Sequence, residues 1–332
     1  MEKNKNIYIF TAIIFLLGLF YLPAFSQFIP SANVSLDLDP PFPAPESEVR
    51  VKASVIGISP LTAGFEWYLN GKLMNEASGR GKNEFIFKTG SIGTRHEIKA
   101  IVIGEPPITG QASLTFRPSD LSLVWSANTR VPKWFKGKAL AIPESRIKVS
   151  AIPTFISGGI NENPNDLIYR WFLDDELMNE SSGFGRQSFE FDLNFLPDTV
   201  YLIKVAVEND DKTVKNEKTI FIRTSIPALL VYPIKPLEGV LVNSAIKELA
   251  LGKYGDIFDF IAEPFFTTVG PKNLLFSWEI GGKKPTGSPK EPNILTITTD
   301  ANSPAGTQIN VSLENPGKPI EGILKTFFLQ LL

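Results

Sequence analysis

Side chains that could perform chemistry are few and scattered in this sequence of 332 residues. His96 is the only histidine, and there is no cysteine. A Ser-His-Asp triad would need His96, and no G-x-S-x-G motif accompanies it. The lack of cysteine removes thiol nucleophiles, thiolate metal sites and disulfides together. We therefore expect no catalytic, metal-binding or cofactor-binding residue, and we predict that the protein is not an enzyme.

Two acidic clusters could supply carboxylate oxygens to a calcium ion. They are Asp174-Asp175-Glu176 and Asp210-Asp211, and neither has the spacing of an EF-hand loop. The first stands where an internal repeat, described below, has Asn70-Gly71, and the second follows a predicted strand. Both clusters are therefore predicted to form turns between strands, while calcium binding stays open.

One basic aromatic segment suggests contact with a ligand or partner. It runs Pro132-Lys133-Trp134-Phe135-Lys136-Gly137-Lys138. Alternation along a strand cannot direct two adjacent aromatic rings into one core, and exposed rings beside cations suit carbohydrate, peptide or headgroup contacts. Lys133, Trp134, Phe135 and Lys136 are thus candidate contact residues. In the alternative interpretation, Trp134 or Phe135 covers the end of a sandwich or the junction with the first domain.

An internal duplication defines the elements that must position these side chains. Residues 65–87 (FEWYLNGKLMNEASGRGKNEFIF) and 169–191 (YRWFLDDELMNESSGFGRQSFEF) are identical at 11 of 23 positions without a gap. Chance would give about one or two identities at ordinary composition. The offset from Trp67 to Trp171 is 171 − 67 = 104 residues, which is the size of a domain rather than of a solenoid repeat.

Alternating apolar and polar residues predict that each copy is an antiparallel β-sandwich. The runs are short, Val51–Val55 and Tyr201–Val207 among them, and turn residues such as Asn70-Gly71 separate them. Phe276-Ser277-Trp278-Glu279-Ile280 repeats the tryptophan strand in a third, diverged copy. The sequence thus predicts an all-β chain with domains at residues 33–117, 118–225 and 226–332.

The repeats also assign places to individual side chains. Trp67, Trp171 and Trp278 share one strand position and are predicted core residues, and His96 takes the place of Tyr201 on a strand. In the third copy, the apolar spacing within Asn243–Leu251 predicts one or two helical turns.

The duplicated stretch Leu-Met-Asn-Glu-x-Ser-Gly-x-Gly has two interpretations. In the first, its polar side chains form a repeated binding strip: Asn75, Glu76 and Ser78, with Asn179, Glu180 and Ser182 in the second copy. In the second, the stretch is a strand edge followed by a glycine turn, with Leu73 and Leu177 buried. The glycines do not form a phosphate loop, because no Lys-Ser/Thr pair follows them.

The N-terminal 26 residues have the composition of an export signal. Lys3 and Lys5 precede the apolar run Ile7–Tyr21, and Ala24-Phe25-Ser26 fits a cleavage site. If the signal is not cleaved, residues 7–26 are just long enough to anchor the chain in a membrane. Either way we expect an exported, extracellular or cell-surface protein. The formal charge of −2 makes a nucleic-acid partner improbable.

The strand patterns resemble those of PKD/Ig-like domains of exported bacterial proteins. The likeness rests on F/Y-x-W-x-h-(N/D)-G around Trp67 and on the strand that follows Gly93-Thr94. This resemblance implies seven-stranded sandwiches with a core tryptophan, and it says almost nothing about activity. The export signal, the duplicated sandwiches and the lack of a reactive constellation predict a non-enzymatic spacer, adhesion or protein-interaction module. The alternative function is a carbohydrate- or envelope-binding protein that uses exposed aromatic loops. The two functions together predict that the partner is a protein or a glycan at the cell envelope.

Overall fold

The computed structural model describes residues 32–105, 108–286 and 291–332. The predicted signal segment, residues 1–26, lies outside the described residues. In the described part the secondary structure is strands joined by turns, with short 3₁₀ helices as the only helical elements. None of the described helices is long and apolar enough to span a membrane. The predicted all-β class with tandem sandwiches is confirmed.

The chain divides into two compact units. Among the described residues, the first unit holds 32–41, 48–88, 96–105 and 108–115. The second holds 42–47, 89–95, 116–286 and 291–332, and it contains two sandwiches. The three-domain division with borders at 117/118 and 225/226 stays a prediction.

The first sandwich pairs a sheet of order β1-β2-β6 with one of order β4-β3-β7-β8, and β5 pairs with β3. Alternation forms these strands, since β2 buries every second residue over most of its length. The strands are β1 (Asn33–Asp39), β2 (Glu48–Ile56), β3 (Gly64–Leu69), β4 (Lys72–Leu73), β5 (Gly79–Arg80), β6 (Glu84–Lys88), β7 (His96–Gly104) and β8 (Ile108–Phe116).

The second sandwich repeats this arrangement, with sheets β16-β10-β9 and β14-β13-β17-β18. The insertion before its tryptophan strand forms the hairpin β11–β12 and the 3₁₀ helix η1. The elements are β9 (Asp120–Ala127), β10 (Arg146–Thr154), β11 (Ile156–Ser157), β12 (Ile160–Asn161), η1 (Pro164–Asp166), β13 (Ile168–Leu173), β14 (Glu176–Leu177), η2 (Asn179–Ser181), β15 (Gly183–Phe184), β16 (Ser188–Asp192), β17 (Val200–Glu208) and β18 (Lys215–Arg223).

The third sandwich has sheets β20-β19-β22-β24 and β21-β26-β25-β23. Its elements are β19 (Ala228–Lys235), β20 (Gly239–Val240), β21 (Leu249–Gly252), β22 (Ile257–Phe265), η3 (Pro271–Asn273), β23 (Leu275–Ile280), β24 (Ile294–Thr298), β25 (Gly306–Glu314), η4 (Pro319–Glu321) and β26 (Ile323–Leu331).

The predicted helical turns at Asn243–Leu251 are wrong. This segment contains turns, the bridging residue Ile246 and the start of β21, which pairs in parallel with β26. Pairing with β26 satisfies the backbone groups of β21, and this non-local contact overrides the local apolar spacing.

Candidate functional site

The tryptophan strand has the same place in all three sandwiches. Trp67, Trp171 and Trp278 pair with β7, β17 and β25, and they are 0%, 0% and 4% exposed. Each indole Nε1–H donates to a backbone carbonyl. The acceptors are Lys82 O at 2.9 Å, Arg186 O at 2.8 Å and Pro292 O at 3.1 Å. Each buried indole thus has a polar partner as well as apolar packing.

The serine of the duplicated motif serves the tryptophan strand. Ser78 Oγ accepts a hydrogen bond from the Trp67 amide at 2.9 Å and donates to Met74 O at 2.8 Å. Ser182 makes the same two bonds with Trp171 and Met178, at 3.0 and 2.7 Å. The hydroxyl therefore satisfies a backbone amide that the short edge strand cannot reach. The sequence offered one signal for this role, because the serine is retained in both repeats while its preceding neighbour changes from Ala77 to Ser181.

The two leucines of the motif are not buried, contrary to the second interpretation above. Leu73 and Leu177 are each 39% exposed. Leu73 is paired with Tyr68, while Met74 faces Trp67 and donates its amide to Trp67 O. Cross-strand partners lie on the same face of a sheet, so the core-facing tryptophan turns the methionine inward and the leucine outward.

The first acidic cluster forms a hairpin turn, as expected. Asp174 and Asp175 have φ of +50° and +67°, and Asn70 and Gly71 have +51° and +80° in the first repeat. Both residues of a type I′ turn need positive φ. Asp174 Oδ1 accepts from the Leu202 amide at 2.8 Å, as Asn70 Oδ1 accepts from Glu97.

The second acidic cluster is also used locally. Asp211 Oδ1 accepts from the amide and the hydroxyl of Thr213, at 3.1 and 2.8 Å. These hydrogen bonds hold the pKa of the Asp211 carboxyl below its usual value. Among the described residues, no group of three His, Cys, Asp or Glu side chains is placed to hold a metal ion.

His96 is a packed strand residue. It is buried, its ring lies 5.5 Å from that of Phe87, and burial lowers the pKa of its imidazole. The second repeat has the same ring contact between Phe191 and Tyr201, at 5.8 Å. The histidine thus takes the place of an aromatic core residue.

The aromatic pair of the basic segment packs against the third sandwich. The Trp134 ring lies edge-on to Tyr232 at 5.3 Å and to Phe265 at 5.7 Å. Phe135 meets Phe265 at 5.4 Å and Phe266 at 6.2 Å in the same manner. We call these five residues the aromatic junction. They belong to one cluster with Ile261 and the partly buried Val131.

A backbone bridge runs beside the aromatic junction. The Arg130 amide donates to Thr267 O at 2.7 Å, and the Phe266 amide donates to Arg130 O at 2.6 Å. Phe266 has φ of +62°, a conformation that a bulky residue adopts only when its surroundings impose it. The second sandwich therefore contacts the third through paired main chain and interlocking rings.

The lysines of the segment divide into two groups. Lys138 Nζ lies 3.1 Å from the centre of the Trp125 ring in the second sandwich, and burial lowers its pKa. All three lysines are exposed, and among the described residues only Lys138 of the three has a ring contact. Of the four predicted contact residues, only Lys133 and Lys136 thus present their side chains mainly to solvent.

A cleft of about 400 Å³ opens in the third sandwich. Ile297, Leu329 and Leu331 are among its apolar lining residues, and Lys283 and Lys284 are among its polar ones. Its described lining includes no histidine or carboxylate. The cleft therefore has apolar and cationic character but offers no acid–base pair.

Comparison with known proteins identifies solved structures with low similarity. No protein-family model and no curated protein matches the chain. The three N-terminal domains of the bacteriophage RB49 highly immunogenic outer capsid protein share 13% identity with a TM-score of 0.25, over 91% of this chain and 98% of that one. The central fibronectin-III array of RIM-binding protein shares 13% identity with a TM-score of 0.27, over 88% of this chain and 95% of that one.

A Bacteroides ovatus SGBP-B, solved with a mixed-linkage heptasaccharide, shares 9% identity with a TM-score of 0.22. The match spans 87% of this chain and 64% of that one. At such identities and TM-scores, these similarities assign neither a function nor a partner to this chain.

Proposed function

We propose that the protein is a non-enzymatic, exported scaffold: a cell-surface spacer, adhesion or protein-interaction module built from Ig-like repeats. The N-terminal composition supports export, and the strand motifs support an affiliation with the PKD/Ig-like domains of exported bacterial proteins. The domain borders at 117/118 and 225/226 belong to the same proposal.

The aromatic junction is the observation that carries this proposal. Tyr232 and Phe265 are each 3% exposed, and Trp134 and Phe135 form part of their cover. Edge-to-face aromatic pairs contribute about 0.5–1.5 kcal/mol each beyond the area they bury. Several such pairs, together with the Arg130–Thr267 bridge, oppose independent motion of the two sandwiches. A spacer needs this property, because it must keep the surfaces at its ends in a constant geometry.

Distance measurements between spin labels test the scaffold. The chain has no cysteine, so Lys218→Cys and Glu314→Cys place one label on each of the two sandwiches, at exposed positions. We expect a single narrow distance distribution in the otherwise unchanged chain. Trp134→Ala with Phe135→Ala should broaden it, because the rings that fill the junction are removed.

Lys133→Ala with Lys136→Ala is the matched control in the same segment. Both lysines are exposed, so their removal should leave the distribution narrow. A broad distribution in the starting protein, or one that ignores the loss of both rings, contradicts the rigid scaffold. Turnover of a cell-wall or protein substrate that one carboxylate substitution abolishes contradicts the non-enzymatic role.

The alternative is a carbohydrate- or envelope-binding role for residues 133–136. It is the weaker candidate, since the Trp134 and Phe135 rings already contact the third sandwich. What supports it is the exposure of Lys133 and Lys136. A glycan array distinguishes the two functions: binding that Lys133→Ala with Lys136→Ala abolishes would favour the alternative.

A further inference from the structure

Most of the 11 residues shared by the two repeats have a structural role. The tryptophan and both phenylalanines of each copy pack in the core, and the serine binds the tryptophan strand. Both glycines have positive φ. One leucine and the methionine of each copy are partly buried (Leu69 and Met74, Leu173 and Met178). Three shared residues remain without such a role, although 12 of the 23 positions have diverged. They are Leu73, Asn75 and Glu76 in the first copy and Leu177, Asn179 and Glu180 in the second.

These shared side chains face solvent in both copies. The leucines have the same exposed fraction, 39%, and the asparagines and glutamates are exposed. Within the described residues, the side chains of the asparagines and glutamates make no hydrogen bond or ion pair. The fold itself therefore gives no reason for retaining the amide and the carboxylate.

The backbone at each leucine is also open. β4 and β14 are edge strands, and the residues on either side of the leucine form the hydrogen-bonded pairs of the hairpin. The leucine lies in the intervening non-hydrogen-bonded pair, with Tyr68 or Phe172. In that position the amide and carbonyl point away from the partner strand. We call residues 73–76 and 177–180 the two open edges.

We propose that the two open edges are equivalent docking sites for an extended polypeptide segment that carries a lysine or arginine. The outward amide and carbonyl of the leucine can pair with a complementary N–H and C=O, which an extended peptide supplies when it lies along a sheet edge. The leucine side chain adds apolar contact. The shared carboxylate supplies charge complementarity to a cationic side chain.

The described part of the third sandwich has no edge with the Leu-Met-Asn-Glu stretch, although β23 itself lies at the edge of its sheet. Its tryptophan strand leads into Gly281-Gly282 and the isolated bridge between Ile280 and Lys283, without the Leu-Met-Asn-Glu stretch. This difference predicts two binding sites in a chain with three sandwiches. The inference rests on the proposed interaction role and names the chemistry of its partner.

Selection from a phage-displayed library of random peptides on the full chain tests the proposal. We expect enrichment of peptides with alternating apolar residues and at least one lysine or arginine. Calorimetry with a selected peptide should give two peptides per chain. Glu76→Lys or Glu180→Lys alone should give one, and both together should weaken binding by roughly tenfold or more through like-charge repulsion.

The matched control is the pair Glu248→Lys and Glu314→Lys in the third sandwich. Both glutamates are exposed, so the control changes the net charge by the same amount and should leave affinity and stoichiometry unchanged. Identical melting curves for all variants establish that folding is intact.

Three results would overturn the proposal. They are failure to enrich basic peptides, equal loss of affinity in the control pair, and binding of a glycan through the open edges with no peptide selected. If one of these three results is found and the spin-label distance distribution is still narrow, the docking proposal is wrong but the scaffold proposal is not contradicted. A broad distance distribution in the starting protein would contradict the rigid scaffold, whether or not peptides bind.

Discussion

The second and third sandwiches bury a tryptophan at the same position but support its strand in different ways. In the second, β13 is flanked by β14 and by Ser182, whose hydroxyl accepts from the Trp171 amide. In the third, β23 is followed by a Gly-Gly turn, and the indole donates to Pro292 O at 3.1 Å instead of 2.8 Å. Both sandwiches thus share the hydrogen bond from the indole to a backbone carbonyl and the pairing of the tryptophan strand with a long neighbouring strand. Within the described residues, only the second has the short edge strand and the serine beside it.

The largest loss of stability should come from removing the buried tryptophan that both sandwiches share. We expect Trp171→Ala and Trp278→Ala each to lower the free energy of unfolding by about 3–5 kcal/mol, because each leaves a large cavity in a closed core. Urea denaturation measures this loss. A cost near zero for either variant would break the equivalence between the two tryptophan strands.

Substitution of Ser182 tests the hydrogen bond to the tryptophan strand that the second sandwich has and the described part of the third lacks. Ser182→Ala should cost about 1–3 kcal/mol, since the Trp171 amide loses its acceptor in a half-buried site. Ser181→Ala is the matched control, because its hydroxyl makes no hydrogen bond among the described residues and the first repeat has Ala77 there. Equal urea midpoints for the two variants would contradict the role given to Ser182.

A smaller change compares the second sandwich with the first. Tyr169 stands where the first repeat has Phe65, and its hydroxyl donates to Pro164 O at 3.0 Å in the inserted loop. Tyr169→Phe should cost about 0.5–1.5 kcal/mol, the net value of one hydrogen bond. Burial raises the pKa of Tyr169 to about 12, so absorbance titration of the folded protein should lose one high-pKa tyrosine in the variant.

The smallest effect concerns a carboxyl group of the third sandwich. Burial, and then the charge of Glu291, raise the pKa of Glu263. A raised carboxyl pKa in the folded state adds stability at pH values below the unfolded pKa, and this stability is lost as pH rises through the folded pKa. Glu263→Gln should therefore flatten the fall in urea midpoint between acid and neutral pH. An unchanged pH profile would show that Glu263 does not govern it.

Local patterns predicted much of the fold. Alternation located the strands around Trp67, Trp171 and Trp278, and the duplication predicted that Asp174-Asp175 forms a turn like Asn70-Gly71. These features depend on residues close in sequence, where period and turn preference act directly. The prediction for residues 243–251 was wrong for the opposite reason. The residues of β26 that pair with β21 lie 328 − 249 = 79 positions further along the chain, and this distant pairing determines the conformation of β21.

The candidate site was less predictable because it depends on register. Which residue of Leu73-Met74 faces the core follows from the hydrogen bond between Met74 and Trp67, and a one-residue change of register would reverse it. The role of Ser78 also needed coordinates, since its partner amide lies 11 residues earlier in the chain.

The sequence by itself determined that the chain is all-β, that a domain-sized unit is duplicated and that a tryptophan recurs on one strand. Periodicity and internal identity are properties of the chain, so no coordinates were needed for these conclusions. Only the tertiary structure decided that Trp134 packs on Tyr232 and Phe135 on Phe265, which lie 232 − 134 = 98 and 265 − 135 = 130 residues further on. Alternation shows that two adjacent rings cannot share one core, but it does not specify which distant surface receives them.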